Sequence, residues 1–200
     1  MIKSASLDDE LFLVLTLKGK VLRLANRIQK MLADHYELYD GGVYPELHLS
    51  LDRIDKYKKD EAIEIIEDII PKLNAIKISI EKLDCMKIAR GDKLLVLDID
   101  NTSSLLSSAK LIHKKLYEKG ISTIDNYDQW NFHITIINNN FAVNPMSEDD
   151  FEDVCYILED FKVPFKSYAS KLEIWKATLD PKERVVKSFL LPVGEEENEK

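Results

Sequence analysis

The chain of 200 residues is 45% hydrophobic, enough to bury a core as one domain or as two small lobes sharing a cleft. Its formal charge of -8, part of it in the Glu-rich end, opposes polyanions; it argues against an extended nucleic-acid surface and leaves a nucleotide or a strand end feasible. No apolar run approaches the roughly 20 residues of a membrane span, and the opening MIKSASLDDE has neither the apolar stretch nor the cleavage pattern of a signal peptide, so the expectation is a soluble, cytoplasmic monomer.

Leu11 to Leu17 is a short β-favouring run, and after Gly19 the apolar residues Val21, Leu24, Ile28, Met31 and Leu32 recur at helical spacing. Asp40-Gly41-Gly42 marks a turn. Leu47, Leu49 and Leu51 then alternate with His48, Ser50 and Asp52, the pattern of a half-buried strand. A second helix runs from about Asp60 through Leu73, followed by the alternation Ile76, Ile78, Ile80. Gly91-Asp92 predicts a hairpin between a strand at Met86 to Ile88 and the run Leu94 to Ile99. Asn101 or Thr102 caps a helix carrying Leu105, Ala109, Ile112 and Leu116, which Gly120 ends.

Past that helix, Phe132, Ile134 and Ile136 alternate with His133 and Thr135 in a second strand of the same kind as the first. Ser147, with Asp150 three residues on, caps a helix carrying Phe151, Val154, Leu158 and Phe161. Two strands, about Ala169 to Ala177 and Val185 to Leu191, flank a turn at Asp180-Pro181. The order hints at two related halves of one domain over residues 1–194, and residues 195–200 read as an acidic disordered tail. Cys85 and Cys155 lie far apart without metal-ligand spacing and read as buried reduced thiols, with a disulfide the disfavoured alternative.

The chemistry sits in the two alternating strands. Residues i and i+2 of a strand point the same way, so His48-Leu49-Ser50 and His133-Ile134-Thr135 each present an imidazole beside a hydroxyl, with apolar neighbours on the opposite face. In-line displacement at a phosphodiester needs one proton removed from the attacking oxygen and another delivered to the leaving oxygen. Two imidazoles titrating near neutrality can do both, one neutral and one protonated, while the hydroxyls donate to the non-bridging oxygens. Either motif alone is weak; the duplication carries the reading.

That duplication resembles the two-histidine phosphoesterases, a family that includes the LigT-type 2′-5′ RNA ligase-like proteins and the cyclic phosphodiesterases. The resemblance runs from LFLVLTLKGKVLRLANRIQKML through ELHLSLDRI and NFHITIINN to KLEIWKATLD and VVKSFLL. It implies an α+β, bilobal fold in which two antiparallel sheets form a central cleft with helices packed outside. It also implies catalytic His48 and His133, phosphate-binding Ser50 and Thr135, no cofactor, and a nucleotide or RNA terminus as substrate. The activity implied is metal-independent hydrolysis of a 2′,3′-cyclic or related terminal phosphodiester. The rivals are 2′-5′ RNA ligation and a non-catalytic module that binds nucleotides or RNA ends. Where many relatives have Phe-Leu-Gly after the first motif and a basic residue after the second, this chain has Asp52-Arg53-Ile54-Asp55 and Ile137-Asn138-Asn139, so substrate class stays open.

Tyr44 and Trp130 lie close enough before the motifs to reach the cleft rim and stack on a base, though packing is the commoner role of such aromatics. Lys18, Lys20 and Arg53 read as solvated charges at element ends, His35 and His113 as helix residues outside the site. The acidic residues show no metal-binding spacing; Glu148, Asp149 and Asp150 suit a helix N-terminus.

Overall fold

A computed structural model describes residues 5–87, 93–158 and 162–193. The apolar alternations become strands: β1 (Glu10–Thr16), β2 (His48–Asp55), β3 (Lys77–Lys87), β4 (Lys93–Asp100), β5 (His133–Asn138), β6 (Lys162–Tyr168), β7 (Lys171–Trp175) and β8 (Val185–Leu190). The helical spacings become α1 (Gly19–His35), α2 (Lys59–Ile69), α3 (Ser103–Glu118) and α4 (Glu148–Leu158), with one further turn, α5 (Pro181–Arg184). Caps follow the sequence. The hydroxyl of Thr102 accepts from the Leu105 N–H at 3.3 Å, that of Ser147 from the Asp150 N–H at 3.1 Å, and Gly120 takes φ +63° beyond α3.

The strands pair antiparallel in the order β6-β3-β4-β5-β2-β1-β7-β8. The two sheets implied above are thus two four-stranded halves of one sheet, joined by a single registered pair between β2 and β5, Leu49 opposite Ile134. One face is apolar. Leu13, Leu15, Leu49, Ile134, Leu172 and Ile174 are fully buried there, in one cluster with Ala25 of α1, Ile66 of α2 and Leu105 of α3. The helices therefore pack on this face, opposite the histidine face.

Several expectations change. Ile78, Ile80 and Met86 belong to one strand, β3, interrupted by a bulge between Ile80 and Leu83, while Ile76 precedes it and Ile88 lies outside the described residues. β6 was not expected. It carries Pro164, which lacks a ladder donor and sits on an edge strand, where that loss is tolerated. The Asp180-Pro181 turn is a helical turn whose Asp180 carboxylate accepts from the Lys182 N–H at 2.8 Å. Cys85 and Cys155 are not separate thiols: they form a disulfide, because α4 packs on β3 and brings their Cα atoms to 5.8 Å, within bridging range. The Gly91-Asp92 hairpin, Phe161 and the acidic tail lie outside the described residues. No helix among the described residues is long and apolar enough to cross a membrane.

Candidate active site

β2 and β5 are the two central strands, and their one registered pair decides the site. With Leu49 opposite Ile134 in an antiparallel pair, continuing the register sets His48 opposite Thr135 and Ser50 opposite His133. Opposed residues share a face, so both imidazoles and both hydroxyls stand together, half-buried, while Leu47, Leu49, Leu51, Phe132, Ile134 and Ile136 are buried behind or beside them. All four expected site residues are brought to one patch.

Each motif strand is irregular just past its hydroxyl. Leu51 is the extra residue of a bulge against β1, and Ile136 the extra residue of a bulge against β4. The carbonyls this frees are held by side chains: Tyr127 donates to Leu51 at 2.8 Å, and the buried Gln29 of α1 donates to Ile136 at 3.1 Å. Satisfied bulges cost little and fix where the preceding residues point.

The two rings are oriented alike. His48 Nδ1 lies 2.8 Å from the Glu46 carbonyl and His133 Nδ1 lies 3.0 Å from that of Asn131. A carbonyl can only accept, so Nδ1 carries the proton and each neutral ring offers the lone pair of Nε2. Burial pushes His48 down to about 4, the carbonyl bond opposing it and the charges of His133 and Arg184 adding to it. Burial also lowers His133, against the Asn131 carbonyl and the nearby Asp98 carboxylate, its neighbour in register on β4. Both rings are therefore neutral at neutral pH. An anion bound between them would favour the charged form of either ring.

Sequence reasoning missed the surroundings of His48. Trp175 of β7 lies against it, ring centroids 4.8 Å apart, with the indole N–H donated to the buried Glu173 at 2.7 Å. Glu173 also accepts from Ser188 at 2.8 Å. The Arg184 guanidinium covers the Trp175 ring at 4.7 Å and pairs with Glu46 at 3.3 Å. The available signal was KLEIW itself, whose polar residues alternate onto the cleft face.

Of the two aromatics expected at the rim, Trp130 is at the site but engaged: its N–H donates to the Ser50 carbonyl at 3.1 Å, and its ring neighbours are Tyr127 and the Arg53 guanidinium. Tyr44 is tied to α1, its hydroxyl donating to Asp34 and accepting from Lys30 at 3.1 Å. Arg53 is no solvated charge; it is buried beside Glu10 at 3.4 Å. His113 serves the helix side. Its Nδ1 lies 2.9 Å from the fully buried Asp52, which also accepts from Ser122 at 2.7 Å, and its ring stacks on Tyr127 at 3.8 Å. Among the described residues, no group of three His, Cys, Asp or Glu is placed to hold a metal ion.

Residues 14–178 match the family described as AKAP7 2′5′ RNA ligase-like domain. The chain belongs to the two-histidine phosphoesterases. No curated protein matches its sequence, but solved structures share its fold. TT0787 of Thermus thermophilus aligns with TM-score 0.61 at 15% identity, over 91% of this chain and 97% of that one. E. coli LigT complexed with 3′-AMP aligns with TM-score 0.56 at 12% identity, over 92% and 98%. Kluyveromyces marxianus Usb1 with uridine monophosphate gives 0.51 at 10%, over 94% and 99%. At these identities the likeness is one of fold.

Proposed function

We propose that this two-histidine phosphoesterase is a metal-independent phosphodiesterase that hydrolyses a 2′,3′-cyclic or related terminal phosphodiester of a nucleotide or RNA end. The observation that carries this is the matched pair of imidazoles on β2 and β5, both held at Nδ1 by a main-chain carbonyl and each opposite a hydroxyl of the other motif. The nucleotides bound by the E. coli and Kluyveromyces marxianus neighbours are in keeping with a nucleotide substrate.

In the proposed reaction, Nε2 of one neutral ring takes a proton from water as its oxygen attacks phosphorus. The other ring, protonated as the anionic substrate enters, gives its proton to the leaving ribose oxygen as that P–O bond breaks. Asp98 favours the charged form of His133, and Arg184 the neutral form of His48, so we assign His133 as acid and His48 as base. Ser50 and Thr135 donate to the non-bridging oxygens.

The test is incubation with nucleoside 2′,3′-cyclic monophosphates and with RNA ending in a cyclic phosphate. Conversion to a monoester, lost in His48→Ala and His133→Ala, is expected. The family's description favours one alternative, joining of 2′,5′ ends, which a sealing assay on paired RNA halves detects. Absence of turnover on every such substrate, with nucleotide binding that survives loss of both histidines, would identify a binding module instead.

A further inference from the structure

We propose that Arg184 is the anion-binding residue on the His48 side of the cleft, exchanging Glu46 for the phosphoryl oxygens of the substrate. The inference rests on the phosphoesterase reading and adds a residue outside both motifs. A phosphodiester brings negative charge to a patch whose rings are both disposed to neutrality and whose β5 side faces Asp98. A cation must meet it. Arg53 is buried against Glu10. Lys171, across β1 from His48, has its ammonium drawn to Glu173 at 3.7 Å. Arg184 is the cation whose charge is felt at His48.

Its setting is that of a prepared ligand. A guanidinium has five N–H donors, and among the described residues the hydrogen bonds of this one go to Glu46 alone, at 3.3 Å, with Nε buried and unpartnered. That pairing can be exchanged, since the contact is long and Glu46 is 48% exposed, free to turn to water when another anion takes its place. The Trp175 ring, itself fixed through Glu173, holds the guanidinium plane beside His48. A planar fork with free donors suits an oxyanion with two or more oxygens, and replacing Glu46 by phosphate exchanges one anion for another without leaving the charge bare. The charged and titratable groups in contact with it or acting on it are Glu46, before β2, and His48, on β2, while Glu173 holds the Trp175 ring beneath it.

The test is titration of the intact protein with inorganic phosphate, followed by calorimetry and by the NMR signals of the His48 and His133 rings. Arg184→Gln is expected to weaken phosphate binding by roughly 10-fold or more, the usual worth of a charged hydrogen bond. Arg184→Lys restores part of it, as a point charge without the fork. Glu46→Gln, which removes the competing anion, should tighten it. Arg184→Gln should also raise the pH at which His48 titrates, while Arg184→Lys, which keeps the positive charge, should hold it near the parent value. Phosphate that fails to move either ring in the parent protein overturns the phosphoesterase reading along with the inference. Binding in the parent that Arg184→Gln leaves within about 2-fold, or that Glu46→Gln weakens, overturns the role of Arg184 only.

Discussion

Burial of His48 makes a prediction about folding that does not depend on knowing the substrate. The folded ring titrates at about 4, while in the unfolded chain it returns to about 6.5. Between these values the unfolded state binds the extra proton, so stability is present above pH 6.5 and is lost as pH falls toward 4. Each pH unit between the two values is worth about 1.36 kcal/mol, so the loss from pH 7 to pH 4 is roughly 3 kcal/mol, a large fraction of a typical domain's stability. Replacing His48 by Gln keeps a side chain that can donate to the Glu46 carbonyl and removes the titration. Urea unfolding of parent and His48→Gln at pH 7 and pH 4 is the assay, each variant compared with itself so that carboxylates and His133 cancel. The parent should lose roughly 3 kcal/mol more than the variant over this interval. Equal losses would show that His48 is as well solvated folded as unfolded, and the electrostatic account of the site would fall with it.

Other outcomes follow from the same geometry. His48→Ala and His133→Ala should each lower kcat by roughly 10²-fold or more with the fold retained by circular dichroism, since the proposed reaction takes one proton transfer from each; parent-like activity in either removes that ring from the mechanism. With His48 needed neutral and His133 protonated, kcat/KM should peak on the acid side of neutrality, falling below about 4 as His48 protonates and again as pH rises through the lowered value of His133. Asp98→Asn should move that upper limb to lower pH, and an unmoved limb would separate Asp98 from His133. Reducing the Cys85–Cys155 disulfide, which spans 70 residues, should cost about 4 kcal/mol and lower Tm by roughly 10 °C; a Tm unchanged by reductant, with the thiols shown to be free, refutes it. Chelation by EDTA should leave activity intact, and loss restored by a divalent ion would mean that the proton-transfer groups are not sufficient.

The sequence was legible where the information is local. Alternation of apolar residues with His48 and Ser50, or with His133 and Thr135, states which residues share a face, because the strand period is two whatever the strand pairs with. Thr102, Ser147 and Gly120 mark helix ends for the same reason, since a cap serves its own first or last turn. Edge position was hidden: β6 contains a proline that reads as a break until its outermost place in the sheet is known.

Tertiary structure alone decided the encounters between distant parts of the chain. The pairing of Leu49 with Ile134 turns two separate motifs into one patch; nothing within either strand specifies its partner. Arg184 meets Glu46 across a separation of 138 residues, Gln29 meets Ile136 across 107, and Cys85 meets Cys155 across 70. The protonation states belong here too. By itself a histidine titrates near neutrality, and it is the burial supplied by surrounding strands, with Asp98 on one side and Arg184 on the other, that makes both rings neutral and biases them in opposite directions.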